Sequence, residues 1–342
     1  MSIENKLTYL DGTKDAIKQA IIDKGVSVTE SDTFRSYASK IGEIQSGGSG
    51  GDCPQGVVDL SDGVSNTFTL ANEIKELILP SNMDNVTNMS KCFYYCNFIK
   101  EITLPELPNV TNMSECFYGC SSLTSITLPS SLPNVTNMYS CFQYCRSLTS
   151  ITLPSNMSNL KYMNQFFANC FSLKSITLPD LPNVTNIQYC FQNCSLLTSI
   201  TLSRLQNVKL MTYCFYGCSS LTSITLPDLP NVTSIQYCFG YCSSLTSITL
   251  PDLPLVTNMS EFFYRCSSLQ NLSIGNINPN ITTLTNWRIS DCTLLTVDSL
   301  VNIMNALPTI TSTKTCTIGT TNISKLSPEQ LAIGTSKGWS IN

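Results

Sequence analysis

The sequence predicts an α/β solenoid: a coil of 24–25-residue rungs, with a parallel sheet on one face and short helices on the other. Three observations predict it. A paired-cysteine box recurs at nearly constant spacing, an alternating apolar pattern precedes each box, and charged residues make up only 12% of the 342 residues. Ordinary soluble proteins carry roughly 25%. Ser, Thr and Asn fill the difference, so the expected surface is polar and sparsely charged.

The box sets the period. Its second cysteine falls at positions 96, 120, 145, 170, 194, 218, 242 and 266, so successive boxes stand 24 or 25 residues apart. Six copies keep both cysteines, as in Cys92/Cys96 and Cys238/Cys242, whereas Phe166 and Phe262 hold the first position in the other two. A C-x3-C pair places two thiols about one helical turn apart on one face. A zinc site favours closer pairs and needs four ligands converging on one point; inter-rung disulfides are the other alternative. Recurrence in every rung is how core positions behave, and cysteine packs as a small hydrophobe. The expectation is buried structural thiols, with no metal and no cofactor.

The strand comes next. In the copy from Leu245 to Cys266, Leu245, Ile248 and Leu250 point inward while Ser247 and Thr249 alternate outward. This LxxIxL run is a leucine-rich-repeat strand signature. Pro251 blocks its continuation and forces a corner. Val256, Met259, Phe263 and Cys266 then fall at i, i+3, i+7 and i+10, which predicts a short helix on the far side. Equivalent strands end at Leu79, Leu104, Leu128, Leu153, Leu178, Leu202, Leu226, Leu250 and Ile274. Nine rungs at about 4.8 Å each make a sheet roughly 40 Å long. One rung cannot bury its apolar edge alone, so neighbours stack.

The flanks differ in composition. Residues 1–46 regain charge and helix formers: Ala16, Ile17, Ala20 and Ile21 form one stripe ending at Gly25, and Phe34, Tyr37, Ala38, Ile41 and Ile44 form a second. Two helices this short bury too little to stand alone, so they dock on a partner or on copies of themselves. Residues 47–52 are a Gly/Ser tether, 53–73 an N-terminal cap, 74–293 the solenoid and 294–342 the C-terminal cap. Within the last segment, Val297–Leu307 reads as an amphipathic helix, Thr315–Ile318 as a strand and Ser327-Pro328 as a helix start.

From about Ile74 to Ile274, the NVTNMSxCFxxC boxes and LxxIxL runs resemble the BspA-like leucine-rich repeats of surface proteins from gut and oral bacteria. They are also similar to repeats found in lipoproteins and phage proteins. The resemblance implies adhesion to host or bacterial surfaces. Asn5 to Ile44, with its TFRSYASKI run, resembles a short N-terminal module of structural proteins from tailed phages of gut bacteria. That likeness implies that residues 1–46 anchor the chain to a phage structural protein, with Phe34, Tyr37 and Ile41 as anchoring residues.

Function classes narrow by composition. There is no His, which removes the commonest general base and metal ligand. No carboxylate pair has the spacing of glycoside hydrolysis, and no phosphate loop is present, so an enzyme is not expected. Asp180, Asp228 and Asp252 share one corner, but one carboxylate per rung falls short of a calcium site. Net charge −4 without a basic run argues against nucleic acid. No apolar run reaches signal-peptide or membrane-span length, so membrane insertion is not expected and synthesis in the cytoplasm is; the phage resemblance implies the virion as the final setting.

Two surfaces are candidates for binding a cell-surface or mucus glycan or protein. One is the hydroxyl ladder of Thr127, Thr152, Thr177, Thr201, Thr225 and Thr249 on the concave, sheet side. Thr is equally a good solvent-facing strand residue that duplication would copy. The other is the aromatic column Tyr189, Tyr213 and Tyr237, either a contact surface or a ladder that stabilises the stack.

Overall fold

The computed structural model describes residues 79, 83–97, 99–281, 284 and 286–342. The two expected N-terminal helices with Phe34, Tyr37 and Ile41, the tether and the 53–73 cap lie outside them.

Seven short strands recur along the coil: β1 (Glu101–Thr103), β2 (Ser125–Thr127), β3 (Ser175–Thr177), β4 (Ser199–Thr201), β5 (Ser223–Thr225), β6 (Ser247–Leu250) and β7 (Asn271–Ile274). They pair in parallel as β1–β2, β3–β4 and β5–β6–β7. Register advances by one repeat, so Ile102 lies opposite Ile126 and Ile224 opposite Ile248. The central isoleucine turns into the core and its Ser and Thr neighbours turn out, as the period of two requires. Pairing lapses over residues 150–152, where the two 25-residue rungs meet, although Ile151 and Leu153 stay buried, and lapses again between β4 and β5, so the expected continuous sheet is divided into three.

The far side corrects the expectation of short helices. Among the described residues, α-helix occurs only between Val297 and Thr335. The box segment instead runs through consecutive tight turns. In one rung, the N–H groups of Cys92, Tyr94 and Cys96 donate back to the carbonyls of Met89, Lys91 and Phe93. The alternate N–H groups, of Met89, Lys91, Phe93 and Tyr95, donate to the next rung at Asn112, Ser114, Cys116 and Tyr118. Residues 91 and 95, and their equivalents in each rung, sit at positive φ, most of them without being glycine. A left-handed residue every fourth position is incompatible with an α-helix. The apolar spacing is the same in both cases, which is why the pattern read as helical.

Alternate bonding leaves every inward position stacked on its equivalent. The Phe of each box forms a continuous column, Phe93–Phe117–Phe142–Phe167–Phe191–Phe215–Phe239, with centroids 4.9 to 5.8 Å apart and rings within 21° of parallel. All sixteen described cysteines are buried as thiols. From Cys120 onward, the second cysteine of each box donates Sγ–H to the Phe carbonyl of the previous rung, at 3.0 Å for Cys120 on Phe93 and 3.2 Å for Cys218 on Phe191. The first cysteine is equally buried and also meets main-chain groups of the previous rung, as Cys116 does at Phe93 and Cys238 at Phe215; Phe166 and Phe262 stand at this position in the other two boxes. Asparagines form a further ladder at the corner: Asn109, Asn134, Asn159, Asn183, Asn207 and Asn231 each donate Nδ2 to a carbonyl of the preceding rung at 2.7–2.8 Å.

The C-terminal end closes the stack. Helix α1 (Val297–Ala306), β8 (Lys314–Cys316), α2 (Thr320–Ile323), α3 (Pro328–Thr335) and β9 (Trp339–Ile341) follow β7. Helix α1 starts at the Thr296 N-cap and α3 at a Ser327/Gln330 capping box with Pro328 in its first turn. An edge strand with open N–H groups would recruit another chain. Here Ser299 Oγ accepts from Leu272 N at 2.9 Å and Asn302 Oδ1 from Ile274 N at 2.7 Å, so α1 seals β7. The Lys337 ammonium in turn donates to the Met304, Asn305 and Leu307 carbonyls at the end of α1.

Burial pushes the thiols up; Cys92 and Cys266 rise from an ordinary value of 9.0 to about 12. A raised folded value means the thiol contribution is complete below pH 9 and is lost as pH rises from there. Each thiol can remove up to about 1.4 kcal/mol per pH unit in that window. Urea unfolding at successive pH values should show stability level to about pH 7.5 and falling increasingly steeply above 8.5. At pH 8 a maleimide reagent should modify at most Cys53 in the native chain and all seventeen cysteines in denaturant. Replacing Asn302 by Leu should lower stability by about 1–3 kcal/mol, because Ile274 N–H loses its acceptor.

Candidate functional site

The strands carry the hydroxyl ladder by the alternation that buries isoleucine. Thr127, Thr177, Thr201, Thr225 and Thr249 occupy the outward position of β2 to β6 and are exposed, and Thr152 is exposed in the rung that lacks strand pairing. Pairing sets Thr103 beside Thr127, Thr177 beside Thr201 and Thr225 beside Thr249. Ser125, Ser175, Ser199 and Ser223 lie exposed alongside, with Ser247 partly covered.

At its C-terminal end this flat face acquires a wall. The N-terminal half of α1 stands beside β7, and the corner forms an open groove of about 580 Å³. Its floor is the outward row of β5, β6 and β7, including Thr225, Thr249, Asn271 and Ser273; its wall is Thr296, Asp298, Ser299 and Asn302. Ile224, Ile248 and Leu272 also border it, but their side chains are buried beneath the sheet. No Lys, Arg or aromatic residue lines it. Sequence reasoning reached the threonines of this corner but not Asn271, Asp298 or Asn302. The amphipathic pattern over Val297–Leu307 was the available signal; where that helix docks was not encoded in any local spacing.

The tyrosine column lies on the turn side. Tyr189, Tyr213 and Tyr237 take the left-handed position of their turns and are half-buried. Their rings stack at 5.0 and 4.6 Å, each pair within 10° of parallel. The faces that could lie on a sugar are therefore largely spent on one another, and the column presents edges and hydroxyls. Around it, Tyr216, Tyr241 and Tyr264 meet the column and each other at steep angles. The Arg265 guanidinium lies 5.4 and 5.6 Å from the Tyr241 and Tyr264 rings, and Arg288 lies 5.3 Å from Tyr264 while pairing with Glu261 at 2.7 Å. Burial pushes the Tyr213 hydroxyl up, with its tyrosine neighbours adding to the rise. The Tyr264 hydroxyl is held down by its hydrogen bonds with Tyr241 and Arg265. The small residues of this surface answer the large ones: a Cβ on Gly240 would meet the Tyr216 ring at 2.8 Å.

Among the described residues, no three His, Cys, Asp or Glu converge to hold a metal ion. No helix there is long and apolar enough to cross a membrane. The anchoring residues Phe34, Tyr37 and Ile41 are outside the described part.

A family model, the BspA type leucine rich repeat region, matches the chain in six copies over residues 61–196, 113–236 and 187–313. None of the curated proteins matches it. Among solved structures, a leucine-rich repeat protein from Bacteroides ovatus is 21% identical, with 71% of this chain and 69% of that one aligned at a TM-score of 0.42. A leucine-rich repeat protein of T. pallidum is 21% identical over 60% of this chain and 83% of that one, at 0.37. A leucine-rich cell surface protein from Faecalibacterium prausnitzii is 18% identical over 84% and 82%, at 0.38.

Tyr213 has a stacked neighbour on both sides, each such pair being worth about 0.5–1.5 kcal/mol. Tyr213→Ala should therefore lower the unfolding free energy in urea by about 1–3 kcal/mol, and Tyr189→Ala, which loses one neighbour, by about half as much.

Proposed function

The chain belongs to the BspA-type leucine-rich-repeat family, and from that premise we propose that it works by binding rather than by catalysis, as a nine-rung adhesion solenoid displayed on a phage particle. The observation that carries the binding reading is the exposed ladder of strand hydroxyls, held in register by main-chain bonds. Rigid presentation lowers the ordering cost of binding, and repetition at one rung spacing suits a polymer with its own repeat. The target is a glycan or protein on a bacterial surface or in mucus. Residues 1–46 attach the chain to a structural protein of the virion, a part that rests on the resemblance of Asn5–Ile44 to phage modules; self-association of these helices is a further expectation. The second reading, a cell-surface interaction module of bacterial origin, is favoured by the family match alone.

Two measurements test this. Electron cryo-microscopy of particles from cells carrying the gene should show a solenoid on capsid or tail, absent when residues 1–46 are deleted. Particles without it would remove the virion role and leave the second reading. For the binding face, the labelled chain should adhere to gut bacterial cells or mucus, and Thr177→Glu with Thr201→Glu should reduce adhesion at least ten-fold. Undiminished adhesion by that variant would mean that binding does not extend over the middle of the ladder.

A further inference from the structure

Resting on the reading that the sheet face binds, we propose that the ligand seats in the corner between β5–β7 and α1, and that it is a neutral pyranose oligosaccharide. The corner is the place where α1 rises beside the sheet, and its volume of about 580 Å³ lies within the roughly 300–1,000 Å³ typical of small-ligand sites.

The lining chooses the chemistry. Phosphate, sulfate and uronate groups are held by cations or open helix N-termini; the lining has no cation, and the first turn of α1 is already capped by Thr296 and carries the exposed Asp298 carboxylate, which would repel them. An apolar ligand or peptide anchor needs an apolar or aromatic wall, and the lining side chains are hydroxyls, amides and a carboxylate. A peptide adding itself as a strand needs the free edge of β7. That edge is taken, since Leu272 N and Ile274 N already bond Ser299 and Asn302.

What remains is a ligand that is both donor and acceptor at many points. Thr225, Thr249 and Ser273 offer hydroxyls that can act either way. Asp298 can accept from two adjacent ring hydroxyls, and the Asn271 amide can donate and accept. The Asn302 oxygen is held by Ile274 N, which fixes that amide and leaves its NH2 as a donor. Vicinal hydroxyls of a neutral sugar match this set.

The test is calorimetric titration of the full chain with three neutral hexasaccharides, of β1,4-linked glucose, N-acetylglucosamine and α-linked mannose, with polygalacturonate as the acidic comparison. At least one neutral hexamer should bind at one site per chain. Asp298→Asn and the pair Thr225→Val/Thr249→Val should each weaken it at least ten-fold, with Tyr213→Phe unchanged. All substituted positions are exposed or conservatively replaced, and thermal melting by circular dichroism confirms that each variant is folded. No binding by any neutral hexamer at millimolar concentration, tighter binding of polygalacturonate, or full affinity in both corner variants would overturn the proposal. If Asp298→Asn adheres to cells as wild type does while Thr177→Glu/Thr201→Glu does not, the sheet-face reading stands and the corner falls.

Discussion

The described coil depends on main-chain hydrogen bonds that run from rung to rung, alongside those that close the turns within each rung. They fix the distance from one rung to the next, and any side chain facing a given direction must tolerate its equivalent at that distance. Phenylalanine therefore sits on phenylalanine, thiol beside thiol and, at Asn88, Asn112 and Asn137, asparagine beside asparagine. The low charge content follows from the same constraint, because like charges repeated at rung spacing would repel. Hydroxyls and amides, which donate and accept, can be repeated without that cost, and Thr124, Thr198 and Thr246 use theirs to bond the carbonyl of the preceding rung.

Much of this was legible in the sequence because the constraint leaves a period. Inward Ile and Leu, outward Ser and Thr, the corner proline and the buried cysteines all follow from one repeat unit. The far side was misread because Val256, Met259, Phe263 and Cys266 have the same spacing on a series of turns as on a helix. What distinguishes them is the left-handed conformation at Glu261 and Arg265, and neither residue type announces it. The asparagine ladder recurs in the sequence once per rung, in four of six copies as Asn-Val-Thr, but its bonds cross to the preceding rung, and a sequence does not show which carbonyl lies there. The candidate site divides in the same way. Its threonines come from the repeat, whereas Asn271, Asp298 and Asn302 come from the place where the repeat stops.

The two cysteine positions illustrate how packing and hydrogen bonding share a core. Both are buried, and the second donates its proton to a carbonyl in each rung from Cys120 to Cys266. At that position the side chain must be small, apolar and a donor at once, a combination few side chains other than cysteine satisfy. The tyrosines of the turn side follow the opposite logic: they vary from rung to rung, and glycines such as Gly119 and Gly240 open room for the ring that leans over them.

The seal that α1 places on β7 also bears on how such a chain can change size. Ser299 and Asn302 recognise only the backbone of the last strand, not the identity of the rungs before it. An in-frame duplication or loss of one interior repeat would present the same edge to the same helix. Length is thus free to drift by whole units while the terminus stays intact, so the reach of the coil and the extent of its hydroxyl face can evolve without redesign of its end.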